Sequence, residues 1–241
     1  MSSEDQKTEI DSCSAMTISP DGNVVATGYN SGKIVLWNLL SKNVLIDIKG
    51  HRESVTCLIY TPDGKQLISG SSDKRIIVWD PFKGEEIRTL KGHWGSITDL
   101  ALNNSGTLLA SCSTDKKIKI WDIKKSWKKI KEFKEHLDVV SQVKFNPKND
   151  TLISCSWDRT IKIWNILTGK FIIDLKGHFG PVYSIAISND GKRLLSGSSD
   201  GLLKIWNLEN GMELQQLATV SDGFTIISFD PLNKYFAAGR N

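Results

Sequence analysis

Histidine, aspartate and serine recur in this sequence at a spacing that could support hydrolytic chemistry. Each histidine is followed 22 residues later by an aspartate, with serines in the segment between them. A neutral imidazole can take the proton of a serine hydroxyl while a carboxylate orients the ring, so these three residue types can form an acyl-transfer triad. The four pairs are His51 and Asp73, His93 and Asp115, His136 and Asp158, and His178 and Asp200. Because the chain has only four histidines, any catalytic imidazole must belong to one of these sets.

The repetition of these sets argues against catalysis. A catalytic triad occurs once, on a strained turn at an accessible site, whereas here the sets recur four times, each with a tryptophan six residues after the aspartate. No separate acid, base or metal-ligand cluster stands out in the sequence, and no Gly-x-x-x-x-Gly-Lys-Ser/Thr segment is present to bind phosphate. We therefore predict that the sets are structural, that the protein is not an enzyme, and that it has no catalytic residue, cofactor or metal.

Tryptophans define the period of the repeat. They follow one another at intervals of 42, 42, 43 and 42 residues, at Trp37, Trp79, Trp121, Trp164 and Trp206. A period of about 40–45 residues is typical of a β-propeller, in which one four-stranded blade is one repeat. Short apolar and β-branched runs bounded by Gly, Pro, Asp or Ser, such as 54–60 and 75–80, predict strands. The sequence therefore predicts an all-β fold of about 22 strands, with five complete blades and a partial sixth.

Four of the repeats share a more specific motif. Gly-His or Glu-His is followed by Ser-x-Ser-x-Asp and then by a strand that ends in Trp-Asp or Trp-Asn. In this motif, and over nearly its whole length, the chain resembles the WD-repeat family. The resemblance implies a buried, hydrogen-bonded tetrad of histidine, strand-two serine, aspartate and tryptophan in each repeat. The implied residues are His51, Asp73, Trp79; His93, Asp115, Trp121; His136, Asp158, Trp164; and His178, Asp200, Trp206. The serine is either Ser69 or Ser71 in the first of these sets, and its counterpart in the others.

The two ends of the repeat array depart from the motif. The first unit has Glu9 at the histidine position and Ser31 at the aspartate position, although it keeps Trp37. The sixth unit contains only two predicted strands, whereas similar WD-repeat rings usually close with seven blades. We expect an incomplete or variant ring: the preferred explanation is truncation of a longer propeller, and the alternative is closure with another chain, including self-association. The predicted organisation is a polar segment at 1–11 and a propeller at 12–241, with blades at about 12–49, 54–91, 96–134, 139–176, 181–219 and 223–241.

Composition limits the compartment and the partners. Cys57, Cys112 and Cys155 lie in apolar strand patterns, which favours small buried thiols over disulfides or metal ligands. The sequence has no apolar run of about 18 residues that would span a membrane, and its polar, acidic start lacks the features of a secretory signal. We expect an intracellular protein, cytoplasmic or nuclear. A net charge of +4 is too small to indicate a partner.

The family resemblance implies a non-enzymatic platform that binds peptides or protein domains and assembles multiprotein complexes. In such propellers the contacts concentrate on the face that carries the loops before strand one and between strands two and three. The candidate contact residues on that face are Trp157, Tyr183, Phe179, Trp94 and Val139, and the hydroxyl residues Thr56, Thr98 and Ser141 occupy matched positions. The alternative is that these aromatic side chains fold back over the blade beneath them.

A lysine-rich strip from 116 to 134 is the second unusual surface. Its nine lysines are predicted to point largely outward at the edge of the third blade: Lys116, Lys117, Lys119, Lys124, Lys125, Lys128, Lys129, Lys131 and Lys134. A solvated edge strand guarded against pairing explains such a strip, and an acidic protein partner or RNA is the alternative. The strip contains no arginine, which argues against base or bidentate phosphate recognition.

One further alternative concerns ubiquitin ligases. Some WD-repeat proteins dock a cullin–RING ligase adaptor through a repeat that ends in Trp-Asp-x-Arg. The nearest match here is Trp121-Asp122-Ile123-Lys124, with lysine at the arginine position. This departure leaves a substrate-receptor function as an alternative to the general scaffold.

Overall fold

The structure is a computed structural model, which describes residues 11–219, 223–230, 232 and 235–239 of the 241-residue chain. These residues form 22 strands joined by turns, and none of them belongs to a helix long and apolar enough to cross a membrane. The strands make five four-stranded sheets and one two-stranded sheet. The prediction of an all-β repeat architecture with 22 strands is thereby confirmed.

Strand order within each sheet follows chain order, and all neighbouring strands are antiparallel. The first blade contains β1 (Cys13–Ile18), β2 (Val24–Tyr29), β3 (Lys33–Asn38) and β4 (Val44–Lys49). The second contains β5 (Val55–Tyr60), β6 (Leu67–Ser71), β7 (Ile76–Asp80) and β8 (Glu85–Leu90). The third contains β9 (Ile97–Leu102), β10 (Leu108–Ser113), β11 (Ile118–Asp122) and β12 (Lys128–Phe133).

The later blades repeat this plan. The fourth contains β13 (Val140–Phe145), β14 (Thr151–Ser156), β15 (Thr160–Asn165) and β16 (Phe171–Lys176). The fifth contains β17 (Val182–Ile187), β18 (Arg193–Ser198), β19 (Leu202–Asn207) and β20 (Glu213–Thr219). The sixth unit contributes the hairpin of β21 (Ile226–Phe229) and β22 (Phe236–Gly239). Glu9, with the rest of the predicted segment before Asp11, lies outside the described residues.

The hydrophobic core is divided among the interfaces between consecutive blades. Between blades two and three, Ile76 and Val78 pack against Leu109 and Trp121, and the other interfaces are built in the same way. The two faces of each sheet therefore serve different neighbours, because side chains alternate along a strand. In blades two to five, the face that carries the repeat tryptophan packs against the preceding blade.

The first strands of consecutive blades contact one another from β1 through β5, β9, β13 and β17 to β21. They are therefore the innermost strands, and the fourth strands are the outermost. Each first strand begins at the loop that enters its blade and ends at the turn to the second strand. The entry loops consequently lie on one face of the array, and the turns from first to second strands lie on the opposite face.

The single extra residue in the period lies in the third blade, between its third and fourth strands. Trp79 pairs with Glu86 across the hairpin of blade two, whereas Trp121 pairs with Lys129, one residue further along. The longer turn contains two consecutive left-handed residues, Ser126 at φ 53° and Trp127 at φ 62°. Trp127 is buried in the core between blades two and three, so packing of a large aromatic side chain offsets the strain of this turn.

Candidate functional site

The structure brings together the histidine, serine, aspartate and tryptophan of the second blade. His51 Nδ1 lies 3.0 Å from Asp73 Oδ2, and His51 Nε2 lies 2.7 Å from Ser69 Oγ. The indole N–H of Trp79 donates to the same Ser69 Oγ at 2.8 Å. Of the two candidate serines, Ser69 therefore joins the set, whereas Ser71 Oγ donates to the Glu53 carbonyl and accepts the N–H of Asp73.

The other three sets repeat this geometry. The joining serines are Ser111, Ser154 and Ser196. The distance from histidine Nδ1 to aspartate Oδ2 is 2.9 Å for His93, 2.7 Å for His136 and 3.0 Å for His178. The indole N–H donates to the serine at 2.9 Å from Trp121, 2.9 Å from Trp164 and 2.8 Å from Trp206. Four blades thus contain one and the same hydrogen-bonded chain.

With a neutral imidazole, donor and acceptor requirements allow one consistent arrangement of protons in this chain. The indole N–H can only donate, so the serine oxygen accepts it and donates its own hydrogen to His Nε2, which leaves Nδ1–H to donate to the carboxylate. Neutral imidazole suits this arrangement: burial lowers the pKa of His51, His93 and His178. Burial alone would raise the pKa of Asp73, but hydrogen bonds from Arg52 N–H, Arg75 and His51 outweigh it and lower the pKa to about 2.

This arrangement cannot act as a hydrolase. The serine oxygens are fully buried in all four sets, so no substrate carbonyl can approach them. Each serine oxygen also accepts the indole N–H of its tryptophan, and this hydrogen bond would have to break before the oxygen could attack. A nucleophile must instead be accessible with its base beside it. The sets act as internal ties between strands and loops.

The tetrad aspartates also hold the entry loops. In each of the four blades, Oδ2 of the aspartate accepts the backbone N–H of the residue that follows the histidine, at distances between 2.8 and 3.0 Å. These residues are Arg52, Trp94, Leu137 and Phe179, which define what we call the loop face. Trp94 is 81% exposed, and Leu137 and Phe179 are each 79% exposed. The tetrads therefore hold the backbone of loops whose large side chains extend into solvent.

Trp157 and Tyr183 form the second feature of the loop face. Their rings meet edge to face, with centroids 6.2 Å apart and an interplanar angle of 86°. Trp157 is 44% exposed, and its backbone N–H donates to the carbonyl of half-buried Val139. Among the described residues, neither Trp94 nor Phe179 contacts another aromatic ring. The candidate aromatics thus share one face, with only Trp157 and Tyr183 in ring contact, while Trp94 and Phe179 extend from separate loops.

The hydroxyl residues predicted on this face instead tie neighbouring blades together. Each of them, and also Ser14 of the first blade, which was not among the predicted residues, donates to a carbonyl at the start of the next blade's first strand, at distances from 2.5 to 2.8 Å. The pairs are Ser14 to Val55, Thr56 to Ile97, Thr98 to Val140, and Ser141 to Val182. Hydroxyl residues recur at spacings of 42, 42 and 43 in the sequence, which indicates a shared role but does not identify the carbonyl that each one contacts. Tyr183, at the next position in the series, packs against Trp157 instead.

The lysine strip differs from its prediction, because Lys119 does not point outward. It is 1% exposed and forms an ion pair with Glu132, since residue 119 lies on the same face of β11 as buried Trp121. Lys129 and Lys134 also pair with Glu132, at 3.0 and 3.2 Å. The Lys119 ammonium and these neighbours hold the pKa of Glu132 well below its usual range.

Other lysines of the strip are engaged locally. Lys116 Nζ donates to the Leu137 carbonyl at 2.8 Å, and Lys131 Nζ donates to the Leu167 carbonyl at 2.6 Å. Lys117 lies 3.8 Å from Glu132 and Lys125 lies 3.6 Å from Asp122, while Lys124 and Lys128 are exposed. Much of the positive charge is therefore compensated within the blade or directed towards the next one.

The three cysteines predicted to be small packed thiols, Cys57, Cys112 and Cys155, are not reactive, whereas Cys13 in β1 is exposed. Cys112 and Cys155 are buried, Cys57 is half-buried, and all are free. Burial raises the pKa of the Cys57 thiol to about 12 and raises that of Cys112 well above its usual value, so these thiols stay protonated at neutral pH. Within the described residues, no group of three histidine, cysteine, aspartate or glutamate side chains could hold a metal ion.

Comparison with known proteins agrees with the repeated blades. No curated protein matches the chain. The family model described as WD domain, G-beta repeat matches residues 6–38, 42–80, 84–122, 127–165 and 169–207. Proteins with these repeats are generally non-enzymatic scaffolds that mediate binding to other proteins or peptides. Because five matches cover most of the sequence and coincide with the tetrad geometry, the chain belongs to the WD-repeat family.

Proposed function

We propose that this protein is a scaffold that binds a peptide or protein domain on its loop face and thereby assembles a multiprotein complex. The observation that carries the proposal is the exposure of Trp94, Leu137 and Phe179 from equivalent loops of consecutive blades. Large apolar side chains grouped on one face mark interaction sites. The partner should therefore present apolar side chains to this face.

Energetics favour these residues as contact points. Covering one large apolar side chain contributes about 1.5–3 kcal/mol, and aromatic residues dominate the cost of truncation at interfaces. The loops are also ordered in advance, because the aspartates Asp115, Asp158 and Asp200 bond the backbone N–H groups of the three contact residues. A partner would lose less free energy in ordering such loops than in ordering mobile ones.

Trp157 and Tyr183 would extend the contact inward on the fourth and fifth blades. Their edge-to-face contact fixes both rings, and about half of the Trp157 surface stays open to a partner. Val139, whose carbonyl accepts the N–H of Trp157, would support the loop rather than supply most of the contact area.

Selection of binding peptides tests the loop face directly. A phage-displayed random peptide library is panned on the 241-residue chain, and the affinity of each selected peptide is measured for the Trp94→Ser/Phe179→Ser double variant. The control is Leu40→Ser/Leu167→Ser, which removes two exposed apolar side chains from turns between third and fourth strands. We expect the loop-face variant to lose at least about tenfold in affinity and the control to lose almost none. Peptides that bind both variants equally would overturn the proposal.

The two alternatives are separable from this proposal. The lysine strip does not favour an acidic or RNA partner, because Lys119, Lys129 and Lys134 already share Glu132. Charge reversal of Lys124, Lys125, Lys128 and Lys129 should leave loop-face binding intact, whereas binding through the strip would be lost and would weaken steeply with salt. Docking of a cullin–RING adaptor at 121–124 stays a prediction.

A further inference from the structure

A cleft of about 620 Å³ opens between blades one and two, away from the loop face. Its sides are the turn that joins β1 to β2 and the turn that joins β5 to β6, so it belongs to the face opposite the loop face. The volume is within the range of about 300–1,000 Å³ that is common for ligand sites. A ligand there would not compete with one bound to Trp94 or Phe179.

The equivalent turns pack more closely at two other blade interfaces. A Cβ atom added to Gly106 would lie 2.9 Å from Pro62, and one added to Gly191 would lie 2.4 Å from Asn146 Oδ1. At Gly64, which faces the cleft, the nearest atom would be Pro20 Cδ at 3.7 Å. The turns are therefore further apart at the interface between blades one and two than at these two interfaces.

The gap between blades three and four is smaller, and a hydrogen bond bridges it. Its volume is about 300 Å³, and its lining is rich in asparagine. Asn104 Nδ2 bridges it by donating to the Pro147 carbonyl at 2.8 Å. The cleft between blades one and two has proline at both turns, Pro20 and Pro62, and proline side chains cannot make such a bridge.

The walls of the cleft are apolar and aromatic. Pro20, Pro62 and Pro81 line it together with Tyr60 and Phe82. Phe82 is 77% exposed at the mouth, whereas Tyr60 is only 7% exposed. The Tyr60 hydroxyl is buried and, within the described residues, has no hydrogen-bond partner. The lining thus offers apolar surface at the mouth and, at Tyr60, a hydroxyl group that can donate a hydrogen bond.

Two carboxylates lie at the rim of the cleft. Asp21 accepts hydrogen bonds from Ser19 Oγ and from the backbone and side-chain N–H groups of Asn23, and these bonds lower its pKa. Asp63 accepts from Thr61 Oγ1 and from the backbone N–H of Lys65, which lower its pKa in the same way. Within the described chain, neither carboxylate forms an ion pair. Both stay ionised at neutral pH and attract a cation.

We propose that this cleft binds a protein segment in which a large apolar side chain is adjacent to lysine or arginine. The apolar side chain would enter between the prolines and pack on Tyr60 and Phe82, while the basic side chain would reach Asp21 and Asp63 at the rim. The occupant is inferred from this combination of an apolar lining with two carboxylates that form no ion pair within the described residues. The protein would then hold two partners on opposite faces.

Short peptides of opposite charge test the proposal on the 241-residue chain. The probes are acetyl-Phe-Arg-amide and acetyl-Phe-Glu-amide, titrated by NMR with amide shifts at Asp63 and Gly64 as the readout. We expect the arginine probe to bind at least about threefold more tightly, in line with solvent-exposed ion pairs, and the preference to shrink in high salt. Phe82→Ser should weaken both probes, whereas Leu167→Ser, at the equivalent turn of blade four, should weaken neither.

The decisive variant is Asp21→Asn/Asp63→Asn, which should abolish the preference for arginine. Asparagine can accept the turn hydrogen bonds to Oδ1, which come from Ser19 and the Asn23 backbone N–H at position 21 and from Thr61 and Lys65 at position 63. Only the exposed bond from the Asn23 side chain to Asp21 Oδ2 is lost, so the melting temperature should change little. Asp190→Asn is the matched control, because Asp190 forms the same turn with Ser188 in blade five. Equal binding of the two probes, shifts that occur elsewhere, or a preference that survives the double substitution would overturn the proposal. None of these outcomes bears on the loop face.

Discussion

The first blade and the four blades after it form the same sheet with different anchors. In blades two to five, a fully buried serine joins indole to imidazole, and the imidazole joins an aspartate. In the first blade, the indole N–H of Trp37 donates to Thr27 Oγ1 at 2.8 Å, and both residues are half-buried. Tryptophan and a strand-two hydroxyl are thus compatible with the four-stranded sheet without the buried imidazole and carboxylate.

In the first blade, the carboxylate belongs to the entry segment and not to the turn between strands two and three. In the later blades, an aspartate of the turn between strands two and three accepts the N–H of the entry loop. In the first blade, Asp11 precedes β1 and accepts both the N–H and the Oγ–H of Ser31, at 3.0 and 2.5 Å. A clamp between the entry segment and this turn is therefore kept, but it is exposed to solvent. The comparison indicates that the buried tetrad mainly adds stability.

Removal of the joining serine should cause the largest loss of stability, and a larger one in a tetrad blade than in the first blade. Ser154→Ala leaves the Trp164 N–H and His136 Nε2 without their shared partner in a buried site, so we expect a loss of ~2–4 kcal/mol in the free energy of unfolding. Thr27→Val removes the corresponding hydroxyl of the first blade at a half-buried site, for which about 1 kcal/mol or less is expected. Urea unfolding of both variants measures the difference. Equal losses would mean that the tetrad is no more stabilising than the single bond of the first blade.

Glycine-to-alanine substitutions should have the next largest effect on stability, because the added methyl group overpacks a tetrad blade. A Cβ atom on Gly50 would lie 2.2 Å from the ring of buried Trp79, so Gly50→Ala should reduce the free energy of unfolding by ~1–3 kcal/mol through overpacking. Gly22, in the first blade, has φ +74° and no atom within 4 Å of an added Cβ. Gly22→Ala should therefore cost only the left-handed strain, about 1 kcal/mol. Thermal melts of both variants measure the difference. A lower melting temperature for Gly22→Ala than for Gly50→Ala would contradict this prediction.

Acid should act on the tetrad blades through their histidines. Burial lowers the folded-state pKa of His51, His93 and His178 below the unfolded value of 6.5. The unfolded chain therefore binds more protons as pH falls below about 6.5, and stability falls with it. Each histidine can contribute at most about 1.4 kcal/mol per pH unit. Asp73 extends the loss between about pH 4 and pH 2, because its pKa falls from 3.8 to about 2 on folding.

Urea midpoints measured from pH 7.5 to pH 5 check this prediction. The wild-type midpoint should decrease, and His178→Asn, which removes one titrating ring, should show a smaller decrease over the same range. A histidine with a raised pKa would instead lose its stabilising contribution as pH rises. A midpoint that increases towards pH 5 would therefore contradict neutral imidazole at His51, His93 and His178.

Features that depend on spacing along one strand could be predicted from the sequence. The tryptophan period, the strand pattern and the resemblance to WD repeats all follow from local order in the chain. The choice between Ser69 and Ser71 could not be made, because residues two apart in a strand face the same side. They differ in their position along the strand. Ser69 lies opposite Ile77 in the sheet, within reach of Trp79, whereas Ser71 contacts the entry loop.

Features that depend on contact with a neighbouring blade could not be predicted from the sequence. Thr56 and Ser141 read as free surface hydroxyls until their carbonyl partners, 41 residues away, are known. Lys119 read as part of a basic surface because charged residues are rarely buried without a partner, and Glu132 is that partner. The cleft between blades one and two depends on the distance between two turns, which no local pattern encodes.

The smallest effect concerns the residue two positions before each repeat tryptophan, which is apolar in the first two blades and lysine in the next three. Val35 and Ile77 are buried, and so are Lys119, Lys162 and Lys204. A buried ion pair can be replaced by apolar residues with little loss, because charge desolvation opposes the Coulombic attraction.

We therefore expect that Lys119→Ile/Glu132→Thr, which copies the Ile77 and Thr89 pair of blade two, changes the free energy of unfolding by less than about 1 kcal/mol. Lys119→Ile alone should also be mild, since Lys129 and Lys134 still pair with Glu132. Lys204→Ile is the sharper case: Glu213 contacts Lys204 at 2.7 Å and, within the described residues, forms no other ion pair. Because that carboxylate is a third exposed, water can still solvate it, and the loss should exceed that of Lys119→Ile only modestly. Urea unfolding measures these losses. If the double variant lost several kcal/mol in the free energy of unfolding, the lysine would be required at this position of the third blade, where the first blade has Val35.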